Sequence, residues 1–102
     1  METAGFGVSG LRYGEVKAVS VGTTSTEILS SSETEKLEFI CLTNTSDSDI
    51  SIALGAVAVV NSGIVLPSKG GYAFEGSAMP RGIAINAITA TGSKNIAVQV
   101  AA

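Results

Sequence analysis

Histidine is absent from this 102-residue chain, cysteine occurs once, and aromatic residues make up only 5% of it. Each scarcity removes a class of chemistry. Without histidine, the usual zinc, copper and haem sites lack their ligands, and Ser-His-Asp or Cys-His catalysis has no base. One cysteine excludes an internal disulfide. Cys41 lies in the apolar run FICL with no lysine, arginine or histidine among its close neighbours, so it reads as a small buried hydrophobe rather than a reactive thiol. Charge is also sparse, with six basic against nine acidic residues and a net charge of −3. The charges are scattered, and a basic footprint for nucleic acid is missing. The run from Ile52 to Val60, broken by Gly55, falls short of the roughly 20 residues a membrane helix needs. The first residues, METAGFGVSGLRYG, lack the charged start and apolar stretch of a secretory signal. The expectation is a soluble, unsecreted protein with no membrane partner.

What is present is aliphatic and β-branched: Ala, Val, Ile and Leu mixed with Ser, Thr and Gly. A chain of this length fits one domain and buries roughly 60–70% of its unfolded surface. Residues 1–14 carry Gly5, Gly7, Gly10 and Gly14 between Phe6, Val8, Leu11 and Tyr13. This spacing suits an extended arm laid on another surface, with a disordered tail as the alternative. Residues 15–102 form the domain. Strands are expected at 15–21, 26–30, 36–45, 49–54, 56–60, 64–67, 72–76, 82–90 and 96–100, separated by turn residues every 8–12 positions. SSSETE (30–35) is polar and reads as a loop, although Ser32 and Glu35 have capping-box spacing. The class is an all-β sandwich or barrel of about eight short antiparallel strands with jelly-roll or Greek-key connectivity.

In KLEFICLTNT (36–45), Leu37, Phe39, Cys41 and Thr43 alternate with Glu38, Ile40, Leu42 and Asn44. Both faces are apolar at 39–42, so this strand is expected to be central, with part of its outer face covered by the arm or a neighbouring subunit. DISIAL (49–54) is expected to pair with it as a hairpin across the polar tip Ser46–Asp49.

Three features invite a chemical reading. Asp47 and Asp49 with Ser46 and Ser48 offer oxygen ligands, but the loop lacks the glycine and distal glutamate of a calcium loop, and capping of a hairpin is the simpler reading. Glu33, Glu35 and Glu38 are close in sequence, as paired catalytic carboxylates would be, yet they read as a solvated loop. Tyr72 and Phe74 share a strand face and could stack on a sugar or fill the core. Lys69-Gly70-Gly71 is a turn without phosphate-loop spacing, and Asn44-Thr45-Ser46 is a glycosylation pattern without a secretory signal.

LTNTSDSDISIALG followed by GIVLPSKGGYAFEG resembles the small virion β proteins of tailed bacteriophages. In that group a strand ending in xNxS turns through a polar tip into I/V-x-I/V-x-L-G. A G-I-x-L-x-x-G-x-x-x-x-F segment then follows, matched here by Gly63, Ile64, Leu66, Gly70 or Gly71, and Phe74. VSVGTTSTEIL is similar to the V-x-V-G-T-T-A-T-x-L start of the same proteins, and the likeness spans roughly residues 19–100. It implies a non-enzymatic head decoration (cement) protein without a cofactor. Such a protein would be made in the host cytoplasm and bound to the major capsid protein on the outer surface of the virion, as a homotrimer bridging capsid subunits. Under that reading the contact candidates are Phe6, Val8, Leu11 and Tyr13 on the arm and Ile40 and Leu42 on the central strand. A carbohydrate- or receptor-binding module of a phage tail or fibre is the alternative.

Overall fold

Period-two alternation sets the strands, and the buried half of each alternation sets the core. A computed structural model of the chain describes residues 14–102. The eight described strands are β1 (Gly14–Val21), β2 (Thr26–Leu29), β3 (Phe39–Asn44), β4 (Ile50–Leu54), β5 (Ile64–Leu66), β6 (Gly71–Glu75), β7 (Ile85–Thr89) and β8 (Lys94–Ala101). They form two four-stranded sheets, β1-β8-β3-β6 (sheet one) and β2-β7-β4-β5 (sheet two). All ladders are antiparallel.

The pairings are nested: β4 with β5, β3 with β6, β2 with β7, and β1 with β8. The chain is therefore one long hairpin, with β4 and β5 at its tip, rolled until β3 meets β8 and β4 meets β7. That is the jelly-roll order of an all-β sandwich, as the composition and turn spacing lead one to expect.

From sheet one, Ile40, Leu42, Phe74, Ile96, Val98 and Val100 enter the core; from sheet two, Ile28, Leu29, Ile50, Ile52, Leu66, Ile85 and Ala87 meet them. Phe74 is the only aromatic residue among these, so compact branched side chains fill the space between the sheets. Each fully buried aliphatic contributes about 1.5–3 kcal/mol relative to exposure. On β2 a bulge between Glu27 and Leu29 breaks the alternation, which lets both Ile28 and Leu29 turn inward.

Four local expectations are corrected. Strands β3 and β4 do not pair: they lie in different sheets, and residues 45–49 carry the chain across the end of the sandwich. Residues 56–60 are not a strand but part of the long β4–β5 connection, because Ala56 to Val60 has no alternating polar face to lay against solvent. Ser31–Thr34 is a one-turn helix, α1, capped by Ser30 and Glu33 rather than by Ser32 and Glu35. Ile40 and Leu42 are 0% exposed. They point between the sheets, so the outward residues of β3 are Phe39, Cys41 and Thr43, each half-buried. The arm candidates Phe6, Val8, Leu11 and Tyr13 lie outside the described residues.

Candidate docking surface

The polar segment after β3 is built around Asn44, which is 0% exposed. Its Nδ2 donates to the carbonyls of Ser48 (2.6 Å) and Leu66 (2.9 Å), and its Oδ1 accepts from the Ser46 amide (3.0 Å) and hydroxyl (2.6 Å). Two donors and two acceptor positions are the full capacity of an amide, so this buried group is completely satisfied. Around it, Ser68 Oγ donates to Ser46 O (2.8 Å) and Lys69 Nζ to Thr45 O (2.7 Å). The backbone at Asn44 exchanges bonds with Lys69 and Gly70. The segment is therefore a structural corner that ties the end of β3 to the β5–β6 turn. A glycan acceptor would have to be exposed, and this asparagine is not.

The carboxylates follow the same structural pattern. Lys94 Nζ donates to Asp47 Oδ1 at 2.9 Å, and that ammonium holds the Asp47 carboxyl below its ordinary range. A cation already sits where a metal would have to bind. Asp49 offers its carbonyl to Thr89 Oγ1 (3.2 Å). Glu33 accepts the Ser30 amide (2.8 Å) in the capping box, and Lys17 lies 3.7 Å from it. Glu38 pairs with Arg81 at 2.8 Å, and Arg81 also donates to the Leu37 carbonyl at 2.9 Å. Glu33 and Glu38 thus serve different partners, and among the described residues no three histidine, cysteine or acidic side chains converge on a metal position.

Tyr72 and Phe74 meet edge to face with ring centroids 5.0 Å apart, but their roles divide. Phe74 is 3% exposed and belongs to the core; Tyr72 is 47% exposed at the outer strand of sheet one.

The feature that sequence reading misplaced is the β4–β5 connection. It carries Val57 (73% exposed), Val59 (57%) and Val60 (36%), with Leu54 and Ile83 (39% each) at its root. Exposed valines on a mobile loop would be unremarkable, but this loop is fastened. Asn86 Nδ2 donates to Ala56 O (2.6 Å), Ser25 Oγ accepts the Ala58 amide (2.9 Å), and Ser51 Oγ accepts the Asn61 amide (2.9 Å). The Gly55 amide reaches Ala84 O at 2.7 Å. Ala58 and Ser51 are buried beneath it, so the loop lies on the outer face of sheet two and presents its valines outward.

No known protein family, curated protein or solved structure matches this chain.

Val57, Val59 and Val60, held outward on this fastened loop, are the candidate docking surface. The sequence signal for it is present in retrospect: from Ile50 to Ser68 there is no charged residue, although the segment contains a surface loop. Alternation cannot find such a loop. An uncharged run that ends in a turn such as Asn61-Ser62-Gly63 can.

Proposed function

We propose that this protein is a non-enzymatic structural subunit: a decoration (cement) protein that docks as a homotrimer on the outer surface of a tailed-phage capsid and bridges neighbouring copies of the major capsid protein. The observation that carries the reading is the fastened β4–β5 loop, whose exposed Val57, Val59 and Val60 form a preorganised apolar surface. Preorganisation matters because ordering a loop upon binding would otherwise oppose association. The likeness of residues 19–100 to phage virion β proteins supplies the partner class. Ile40 and Leu42 drop out as contacts; the valines of the loop replace them.

The test is co-sedimentation with mature heads of the phage whose genome carries the gene. The wild-type chain should bind heads at micromolar concentration, and Val57→Asp with Val59→Asp should weaken binding at least tenfold while leaving the circular dichroism spectrum unchanged. Failure of the wild type to bind, or undiminished binding by the double variant, would overturn the assignment. Light scattering checks the oligomer, and a monomer at high micromolar concentration removes the trimer.

Tyr72 supports a second reading, a glycan- or receptor-binding module of a tail or fibre, because its ring is 47% exposed while its neighbour Phe74 braces it from the core. Under that reading Tyr72→Ala abolishes binding on a glycan array without unfolding the domain. An array without any ligand counts against it.

A further inference from the structure

A strand with a neighbour on one side only leaves half of its backbone donors and acceptors open, and natural sheets guard such edges with short strands, bulges, proline or inward-turned charges. Three of the four edge strands among the described residues carry a guard. Strand β2 is four residues long and bulged, and β5 is three residues long and stopped by Pro67. Strand β1 turns Glu15 and Lys17, which pair with the buried Val100 and Val98, toward the inner side of sheet one. Strand β6 has none of these guards. It runs five residues, Gly71–Glu75, in unbroken register with β3, and its only charge is Glu75 at the end.

The phase of the ladder shows which groups of β6 are open. The Asn44 amide donates to Gly70 O at 2.8 Å, and bonded and non-bonded pairs alternate along antiparallel strands, so Tyr72 with Leu42 and Phe74 with Ile40 are the pairs bonded to β3. The amides and carbonyls of Gly71, Ala73 and Glu75 therefore point away from β3, and among the described residues none of them has a hydrogen-bond partner. We infer that this edge pairs with β6 of a second copy, antiparallel about a twofold axis at Ala73. Any extended strand could use the bonds, but the open set is its own complement: Ala73 meets Ala73 and Gly71 meets Glu75, so every open amide and carbonyl of both strands is used. No acid faces an acid, because Glu75 stands across from a glycine. The same register sets Tyr72, 47% exposed, across from Phe74 of the second copy on the inner side of the sheet, where cross-strand aromatic pairs support a ladder. About 17 Å of strand edge is less than a permanent interface uses, so the pairing belongs to high micromolar concentration. The contact rests on neither reading above, since it lies at the edge of sheet one and the β4–β5 loop lies over sheet two.

The test is light scattering on the full chain at high micromolar concentration. Ala73→Lys leaves the bonds to β3 alone but sets two ammonium groups across the axis, and it should lower the mass to half that of the wild type. A wild type that is already monomeric, or an undiminished mass in the variant, overturns the proposal. Cross-linking covers the case in which that variant folds poorly. Cys41 lies across from Ala73 on β3, so Cys41→Ser removes the competing thiol. In that background Ala73→Cys should form an interchain disulfide at least tenfold faster than Ser20→Cys on β1, because bonded residues of an antiparallel pair lie about 5.5 Å apart, within disulfide reach. Equal rates overturn the proposal. Amide hydrogen exchange exposes any other occupant: protection at Ala73 should rise with concentration, and protection that does not would place the cover within a single chain and overturn the pairing as well.

Discussion

Asn44 explains at the scale of one residue why a polar stretch follows the most apolar strand of the protein. Its amide closes the end of the sandwich by donating to carbonyls from two separate segments, that of Ser48, which also accepts from the Ser46 hydroxyl, and that of Leu66. Replacing it by alanine removes both donors and leaves the Ser46 amide without its acceptor. An unsatisfied buried polar group costs about 1–3 kcal/mol, and the Leu66 carbonyl and the Ser46 amide both lose their side-chain partner, so Asn44→Ala should destabilise the domain by about 2–4 kcal/mol. Urea denaturation measures this, and a loss below 1 kcal/mol would show that the corner is held by its backbone bonds alone. Asn44→Asp should be worse at neutral pH, because it places a carboxylate against two carbonyl oxygens. The chemistry of this residue was not legible beforehand. Polarity in LTNTSDSD signalled a turn, but nothing in the residue order distinguishes an exposed hairpin tip from a corner whose first member is buried.

Among the elements, most strands were legible because alternation and turn residues agree at 15–21, 36–45, 64–67, 72–76 and 96–100, each of which overlaps a strand of the fold. Pairing was not. Adjacent runs such as β3 and β4 suggest a hairpin by proximity alone, yet in a jelly roll the neighbours in sequence pass to opposite sheets. Helix α1 escaped notice because a single turn has no periodic face to recognise; only its cap is informative. That cap carries a pH dependence. The Ser30 backbone amide donates to the Glu33 carboxylate and lowers its pKa from the ordinary 4.5, with smaller help from the Ser30 hydroxyl and Lys17, against a modest opposing effect of burial. A carboxyl whose folded pKa is lowered contributes stability that is fully present above its unfolded value and is lost as pH falls through the folded one. The Glu33 side chain is half exposed, so after screening the contribution is about 0.5 kcal/mol or less. Glu33→Gln should therefore melt slightly below wild type at pH 7, and the two should converge as pH falls below 4. A gap that persists at pH 3 would assign the effect to the shape of the cap instead of its charge.

For the whole molecule, nesting fixes what must form before what. The β4–β5 pair closes only the connection between Leu54 and Ile64, the most local of the four nested pairings, whereas β1 and β8 join Gly14 to Ala101 and complete sheet one only when nearly the entire chain is in place. Loop closure must be met entropically before a ladder can repay it, so a fold dominated by distant pairings folds slowly, on the millisecond-to-second scale. The same reasoning orders the events. If the tip of the rolled hairpin forms first, Ile52 on β4 is already packed in the transition state, and Val98 on β8 is not. Ile52→Val, at a cost of about 1 kcal/mol, should then act mainly by slowing folding. Val98→Ala, at a cost of roughly 2 kcal/mol, should act mainly by accelerating unfolding. Stopped-flow folding and unfolding arms for the two variants decide the matter. If Val98→Ala slows folding while Ile52→Val leaves the folding arm untouched, the roll closes from its open ends, and the order argued from nesting is reversed.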